Sequence, residues 1–363
     1  MNVSLPESRR AAILARVARD GEVRVANLAA DLGVAAITVR RDLSLLAEED
    51  LIQQVRGGAR SRPSSPLAKS PDADEPTLAI VTPSLHYYWP TVVNGARRAV
   101  GERGARLLVQ ASSTGADDNL ALLEEIASDA SIDALLFAPD LSEGSASERL
   151  VQRLQEMDLP VVLLERSLRA IGGSGRTFDS VRTDHISGAA IAVRHLRDLG
   201  HERIALLCDP FSPTRPLLEE GFARATTAMG ISELSSHVTT IDTHGPSVFG
   251  AVDAFLETCQ EEGTTAVVIH SDEAALLALQ HARRRGWSIP EDISVMAYDD
   301  VLAELAHPPL TAVAPPKEII GERAVSLALH RLASPNTPIE RVELIPSLTR
   351  RASTCPPTGH TAR

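Results

Sequence analysis

From Leu78 onward the chain repeats one pattern: a short apolar run, then a longer stretch whose apolar residues fall on one helical face. The runs are Leu78 to Thr82, Arg106 to Gln110, Ala134 to Ala138, Val161 to Leu164, Ile204 to Cys208, Val238 to Ile241, Ala266 to Ile269 and Ile293 to Tyr298. Between them lie helical stretches such as Thr91 to Arg103, Ala189 to Leu199, Phe249 to Glu261 and Glu273 to Arg285. Short runs of consecutive apolar residues suit strands buried on both faces, and helices laid over a parallel sheet provide that cover. About ten such units over some 280 residues predict two α/β lobes.

Ligands of open parallel sheets bind at the carboxyl ends of the strands, and the unusual residues collect there. Aromatic residues are only 3% of the chain, yet Tyr87, Tyr88 and Trp89 follow the first run consecutively. Glu165-Arg166 closes the Val161 run, Ser271-Asp272 the Ala266 run and Tyr298-Asp299-Asp300 the Ile293 run. Aromatic faces beside carboxylates and an arginine suit a small polyhydroxyl ligand. For any single residue a polar strand end or a core-capping tyrosine explains as much; the coincidence at several ends favours a cleft.

The first 60 residues follow a different rule. Ala36 to Ala47 reads as a helix with Val39, Leu43 and Leu46 on a buried stripe and Thr38, Arg40, Arg41 and Ser44 outside it. Val25 to Leu32 forms a preceding amphipathic segment, and Gly33 lets the chain turn between them. Ser4-Leu5-Pro6-Glu7 has capping-box spacing, so a further helix is expected to run to about Asp20 and stop at Gly21. Leu51 to Arg60 reads as a hairpin with a Gly57-Gly58 tip beside Arg56. Together these describe a winged helix-turn-helix whose second helix enters the DNA major groove.

The region 5 to 60 resembles the DNA-binding domain of the DeoR family. The resemblance rests on Ile13, Val23, Val25, Leu28-Ala29, Leu32-Gly33-Val34, Thr38-Val39-Arg40-Arg41-Asp42-Leu43 and Arg56-Gly57-Gly58-Ala59. Ala35 stands where that family usually has serine, so a side-chain cap and a phosphate contact are missing there. We expect Thr38, Arg40, Arg41 and Ser44 to face DNA, with Arg56 and Arg60 as contacts from the wing.

Ser61 to Pro76 is rich in Ser, Pro, Ala and Asp without an apolar period, and reads as a linker. Residues 1 to 60 hold nine arginines and eight acids, so all of the net negative charge of −12 lies beyond them. Such a chain is not built to coat nucleic acid indiscriminately; DNA contact is confined to one face. Cys208, Cys259 and Cys355 form no C-x-x-C pair, which argues against a disulfide framework or a cysteine zinc site. No apolar run approaches a bilayer span and no signal-peptide core precedes the head, so a cytoplasmic protein with no membrane partner is expected.

Residues 76 to about 357 resemble the effector-binding core of the LacI/galactose-repressor family, which shares the fold of type I periplasmic sugar-binding proteins. The residues that carry this are Gly200-His201-Glu202-Arg203-Ile204-Ala205, Glu220-Gly221-Phe222, Asp292-Ile293-Ser294-Val295, Tyr298-Asp299-Asp300, Pro308-Pro309-Leu310-Thr311 and Leu344 to Thr354. The resemblance implies an effector set of Tyr88, Trp89, Glu165, Arg166, Asp184, Ser271 and Asp299. Leu218 stands where members commonly carry an arginine, and Arg215, one turn earlier, is the expected substitute if that loop is rearranged. It also implies dimerisation through the lobes and three crossovers, near Val181 to Asp184, Val301 to Pro309 and Ser334 to Pro338. The expected fold is thus a mainly α winged helix-turn-helix at 1–60, a linker at 61–75 and a two-lobed periplasmic-binding-protein-like α/β core with parallel sheets at 76–357. Its lobes would be about 76–181 with 305–333, and about 183–301 with 338–354.

These features point to a sequence-specific DNA-binding transcriptional regulator, a repressor, acting as a homodimer on operator DNA. A small-molecule effector, a sugar or similar metabolite, would bind between the lobes. The alternative is a cytoplasmic sugar-binding module without a DNA role. Enzymatic readings find little support. Gly172-Gly173-Ser174-Gly175 lacks dinucleotide-binding spacing, and neither a phosphate loop nor His-Glu-x-x-His nor Gly-x-Ser-x-Gly occurs. No cofactor, metal or catalytic residue is expected.

Overall fold

The computed structural model describes residues 9–10, 13, 16–17, 22–32, 34–48, 53–55, 57–60, 75–112, 116–139, 145–166, 177–231, 236–242 and 247–358. The chain divides into two compact units, residues 1–73 and 74–363. The expected linker, the Ser4 cap, the stop at Gly21 and the turn at Gly33 lie outside the described residues.

In the first unit Arg9, Arg10, Ile13, Arg16 and Val17 are helical. They precede β1 (Glu22–Arg24), α1 (Val25–Leu32), α2 (Ala36–Glu48), β2 (Gln53–Val55) and β3 (Gly58–Arg60). β3 pairs antiparallel with both β1 and β2, so the hairpin is completed by a third strand that the sequence pattern did not reveal. Ile13, Val17, Val25, Leu28, Val39, Leu43 and Leu46 share one core with Val23 and Ala59 from the sheet. The Gly-Gly tip is dictated by geometry. Gly57 sits at φ +87°, and a Cβ on Gly58 would lie 1.9 Å from the Val23 carbonyl oxygen.

The second unit holds two six-stranded sheets. One runs β4 (Thr77–Thr82), β5 (Arg106–Ala111), β6 (Ala134–Phe137), β7 (Val161–Leu164), β8 (Asp179–Thr183) and β14 (Arg341–Leu344), in the spatial order β14-β8-β7-β6-β4-β5, all parallel. The other contains β9 (Ile204–Cys208), β10 (Ser236–Thr240), β11 (Ala266–His270), β12 (Ser294–Tyr298), β13 (Thr311–Ala314) and β15 (Ser347–Thr349), ordered β10-β9-β11-β12-β13-β15. Only the β13–β15 pair is antiparallel.

Both faces of each sheet are buried, by alternate residues. In the first lobe Leu78, Ile80 and Leu136 pack under one helical layer while Ala79, Val81, Leu135 and Phe137 pack under the other. In the second, Val267, Ile269, Val295 and Ala297 oppose Ala266, Val268, Met296 and Tyr298 in the same way. This two-sided burial is why the strands read as continuous apolar runs.

The helices over the first sheet are α3 (Trp89–Glu102), α4 (Ala116–Ser128), α5 (Ser145–Glu156) and α10 (Lys317–Ala333). Those over the second are α6 (His185–Asp198), α7 (Arg215–Ala228), α8 (Val248–Glu261) and α9 (Asp272–Arg284).

The first crossover falls at Thr183-Asp184, within the expected segment. The other two do not match the expectation. The chain leaves the second lobe between Ala314 and Lys317, not near 301–309, because Thr311–Ala314 adds a strand beside β12. It leaves the first lobe between Leu344 and Ser347, not near 334–338, because Arg341–Leu344 first adds an edge strand beside β8. Residues 311–314 therefore belong to the second lobe and 341–344 to the first, the reverse of the expected division. Both switches follow the ends of short strands, at Pro315-Pro316 and Pro346, where proline cannot continue a ladder.

Candidate DNA face and effector cleft

Helix α2 presents two different sides. Val39, Leu43 and Leu46 are buried, whereas Arg40 and Arg41 are exposed and Thr38 and Ser44 half-buried. The helix begins without a side-chain cap. The Ala35 carbonyl accepts from the Thr38 and Val39 amides at 2.9 and 3.3 Å, and Ala35 has no hydroxyl to return the favour to the first turn. Asp42, next to the arginines, has a structural task. Its carboxylate takes a bidentate contact from Arg9, Nε to Oδ2 at 2.6 Å and Nη2 to Oδ1 at 3.1 Å, with Asp42 only 4% and Arg9 7% exposed. That pair pins the N-terminal helix against the inner side of α2. Arg56 lies outside the described residues; Arg60 is placed in β3 by its backbone alone.

In the second unit the carboxyl ends of the strands of both lobes converge. Tyr87, just after β4, sits at φ 56° and donates its hydroxyl to Asp299 Oδ2 at 2.9 Å, while accepting from the Asp272 amide at 3.0 Å. Lys317, at the second crossover, donates to the Asp299 carbonyl oxygen and lies 5.5 Å from the Tyr88 ring centroid. His185 Nδ1 is 3.0 Å from the buried Tyr298 hydroxyl, and its Nε2 is 3.5 Å from Glu165 Oε2. A phenol, an amine and an imidazole thus tie one lobe to the other.

The expected effector residues have unequal fates in this cluster. Glu165 is enclosed: Tyr88 donates its hydroxyl to Oε1, and Thr183 donates its amide to Oε2 at 2.9 Å and its hydroxyl to Oε1 at 2.8 Å. Burial pushes the Glu165 carboxyl up, but His185, Tyr88 and the Thr183 amide outweigh it and hold it down at about 2. Asp299 carries φ 116°, and burial, followed by the Asp272 charge, holds its carboxyl well above the usual range against Tyr87 and Lys317. Ser271 caps α9 in an extended conformation without spending its hydroxyl on the helix. Arg166 reaches the Pro139 carbonyl at 3.1 Å and the Glu165 carbonyl at 2.9 Å.

Two expected positions are occupied by structural work, and a third, Arg215, has only a distant ion pair. Trp89 is 8% exposed and packs in the first lobe's core with Val92, Val93 and Ala96. Asp184 caps α6, accepting the Ser187 amide at 2.9 Å and hydroxyl at 2.6 Å. Arg215 starts α7 with Nε 3.7 Å from Glu219, one turn along the same helix.

His185, His270 and Lys317 were missed, and Tyr87 and Asp272 were noted at the strand ends but left out of the effector set. Asp272 is the organiser: its fully buried carboxylate accepts the amides of Asp300, Val301, Leu302 and Ala303 at 2.6 to 3.3 Å, fixing the loop that presents Asp299. Asp300 turns away, to Arg351 Nη1 and the Thr349 hydroxyl, both at 2.7 Å. One signal was available for Lys317, since the chain has only two lysines, Lys69 and Lys317, among 36 basic residues. Cys208 is buried in the core with its thiol pushed up to about 12 by burial, which makes it a packing residue.

Comparison with known proteins agrees with this architecture. A DeoR-like helix-turn-helix domain matches residues 9–65, and a periplasmic binding protein-like domain matches residues 193–354. The arabinose metabolism transcriptional repressor of Geobacillus stearothermophilus is 27% identical over 302 residues, 81% of this chain and 80% of that protein. The ribose operon repressor of Escherichia coli K12 is 27% identical over 276 residues, 76% of this chain and 80% of its own. A LacI family transcriptional regulator from Enterococcus faecium, solved with bound ribose, superposes with a TM-score of 0.63 at 23% identity over 78% of this chain and all of that one. The relatives the chain resembles are thus transcriptional repressors, and the solved neighbour shares the fold of its core. More particularly, the chain joins a DeoR-like helix-turn-helix domain to a periplasmic-binding-protein-like domain.

Proposed function

We propose that the protein is an effector-controlled transcriptional repressor that acts in the cytoplasm as a homodimer on a two-fold operator. Its core, about residues 76–357, is the effector-binding and dimerising part, and residues 1–60 are the DNA head. The observation that carries this reading is the conjunction, on one chain, of exposed Arg40 and Arg41 on the second helix of a helix-turn-helix with two lobes whose strand ends converge.

The effector is a sugar or similar small polyol. Tyr87, Tyr88, Ser271 and Asp299 offer hydroxyl and carboxyl groups of the kind that bind polyhydroxyl ligands, and named relatives control arabinose and ribose genes. Because Tyr87 and Lys317 already tie the lobes together, a ligand acts by favouring one lobe arrangement over the other; tight binding to both equally would shift nothing. A gel shift with DNA from the protein's own upstream region and neighbouring genes, run with and without a panel of pentoses, hexoses and disaccharides, tests this. One compound should abolish or strengthen one shift. A sugar that raises the melting temperature of a protein shifting no fragment would leave a binding module without a DNA role.

A further inference from the structure

We infer that Ile37 reads the C5-methyl group of a thymine in the operator's major groove, an inference that rests on the DNA-binding reading above. Ile37 is 69% exposed, although its helix offers a buried stripe that begins two positions on, at Val39. It lies on the first turn of α2, and Arg41 and Ser44 follow it at offsets of four and seven, on the same outer side. Ala35 and Ala36 beside it are exposed and carry only methyl groups, so neither keeps this turn from a groove floor.

The first residues of a recognition helix are the ones that reach base edges. An aliphatic side chain there has one apolar counterpart in the major groove, the thymine methyl, while the neighbouring arginines meet guanine edges or phosphates. A branched apolar side chain held in water on a cationic helix face is therefore matched by duplex DNA carrying thymine.

The test begins with the full-length protein and a random-sequence duplex library, enriched to define its operator. Affinities of the parent, Ile37→Ala and Arg41→Ala are then measured on that duplex and on copies in which each thymine in turn is replaced by deoxyuridine, which removes only the methyl. One thymine per half-site should weaken the parent about four-fold on replacement, the worth of one buried methyl, and leave Ile37→Ala almost unaffected. On the unmodified operator Ile37→Ala should lose about ten-fold with the salt slope unchanged, whereas Arg41→Ala should flatten that slope if it meets phosphate. If Arg41→Ala weakens binding but no thymine is coupled to Ile37, the DNA reading stands and this inference falls. If the library yields no enriched duplex, both fall.

Discussion

The outer face of α2 and the cleft of the core solve the same problem, presenting polar groups to a partner, in opposite ways. Arg40 and Arg41 stand exposed on one helical turn, and the residues that hold them, Val39, Asp42 and Leu43, are their immediate neighbours. The cleft is assembled from parts far apart in sequence: Tyr87 meets Asp299 across 212 positions, and His185 meets Tyr298 across 113. Its groups are also largely buried and already hydrogen-bonded to one another. A local, exposed face tolerates single changes without collapse; a nonlocal, enclosed one converts each change into a change of fold, lobe coupling and ligand affinity together.

The sharpest way to break that contrast is Asp42, a buried group inside the exposed face. Asp42→Ala leaves the Arg9 guanidinium buried without its partner, which costs about 3 kcal/mol, the low end for a broken buried ion pair in a domain this small. Calorimetry should show the head's transition lowered and operator binding lost, while sugar-induced stabilisation of the core is unchanged. If the core's transition falls equally, the two units do not fold independently.

Next in size is the acid response of the core. His270 ends β11 among Tyr298, Asp299 at 3.7 Å, His185 and Asp209, and burial, aided by the His185 charge, pushes its imidazole down to about 4. The unfolded chain accepts that proton near pH 6.5, before the folded one does. Its contribution to stability is therefore flat above 6.5 and is lost as pH drops from 6.5 towards 4, by about 3 kcal/mol over the window. Glu165 adds its own loss only lower, as pH falls from about 4.5 towards 2. His270→Gln should reduce the upper slope in denaturant melts, the remainder coming from His195 and His201, whose imidazoles burial also holds down, and leave the lower window in place. An equal slope in both proteins would assign the acid response elsewhere.

Arg41→Ala tests the exposed side directly. At fixed salt it should cost about 2 kcal/mol of operator affinity, as expected for one arginine contact to a base edge, with the melting temperature unmoved. These three variants also mark how far sequence carries. The helix-turn-helix was legible because its signals are local: an apolar stripe, a glycine turn, a pair of arginines. The lobes were legible because two-sided burial writes each central strand as an apolar run. The cleft was legible only as an address, the strand ends, because Tyr88 and Trp89 look alike in sequence and differ only in which one the core consumes. Asp184 is likewise indistinguishable from a ligand until its capping bonds to Ser187 are seen. The edge strand at 341–344 alternates exposed and half-buried residues, so it left no apolar run to find, and the last crossover was misplaced for that reason.

The smallest effect concerns Ala35, where the head departs from the DeoR-type pattern. Ala35 begins α2 without a hydroxyl to accept an amide from the first turn, so Ala35→Ser should add about 1 kcal/mol to the head's stability. Its effect on operator affinity separates two roles for the missing group. If the serine only caps, the head melts higher and affinity at fixed salt is unchanged. If it also reaches a phosphate, affinity rises and the salt dependence steepens, because one more backbone contact releases more counterion. Either result sharpens the contrast with the cleft, where adding a hydroxyl would have to displace a partner already in place.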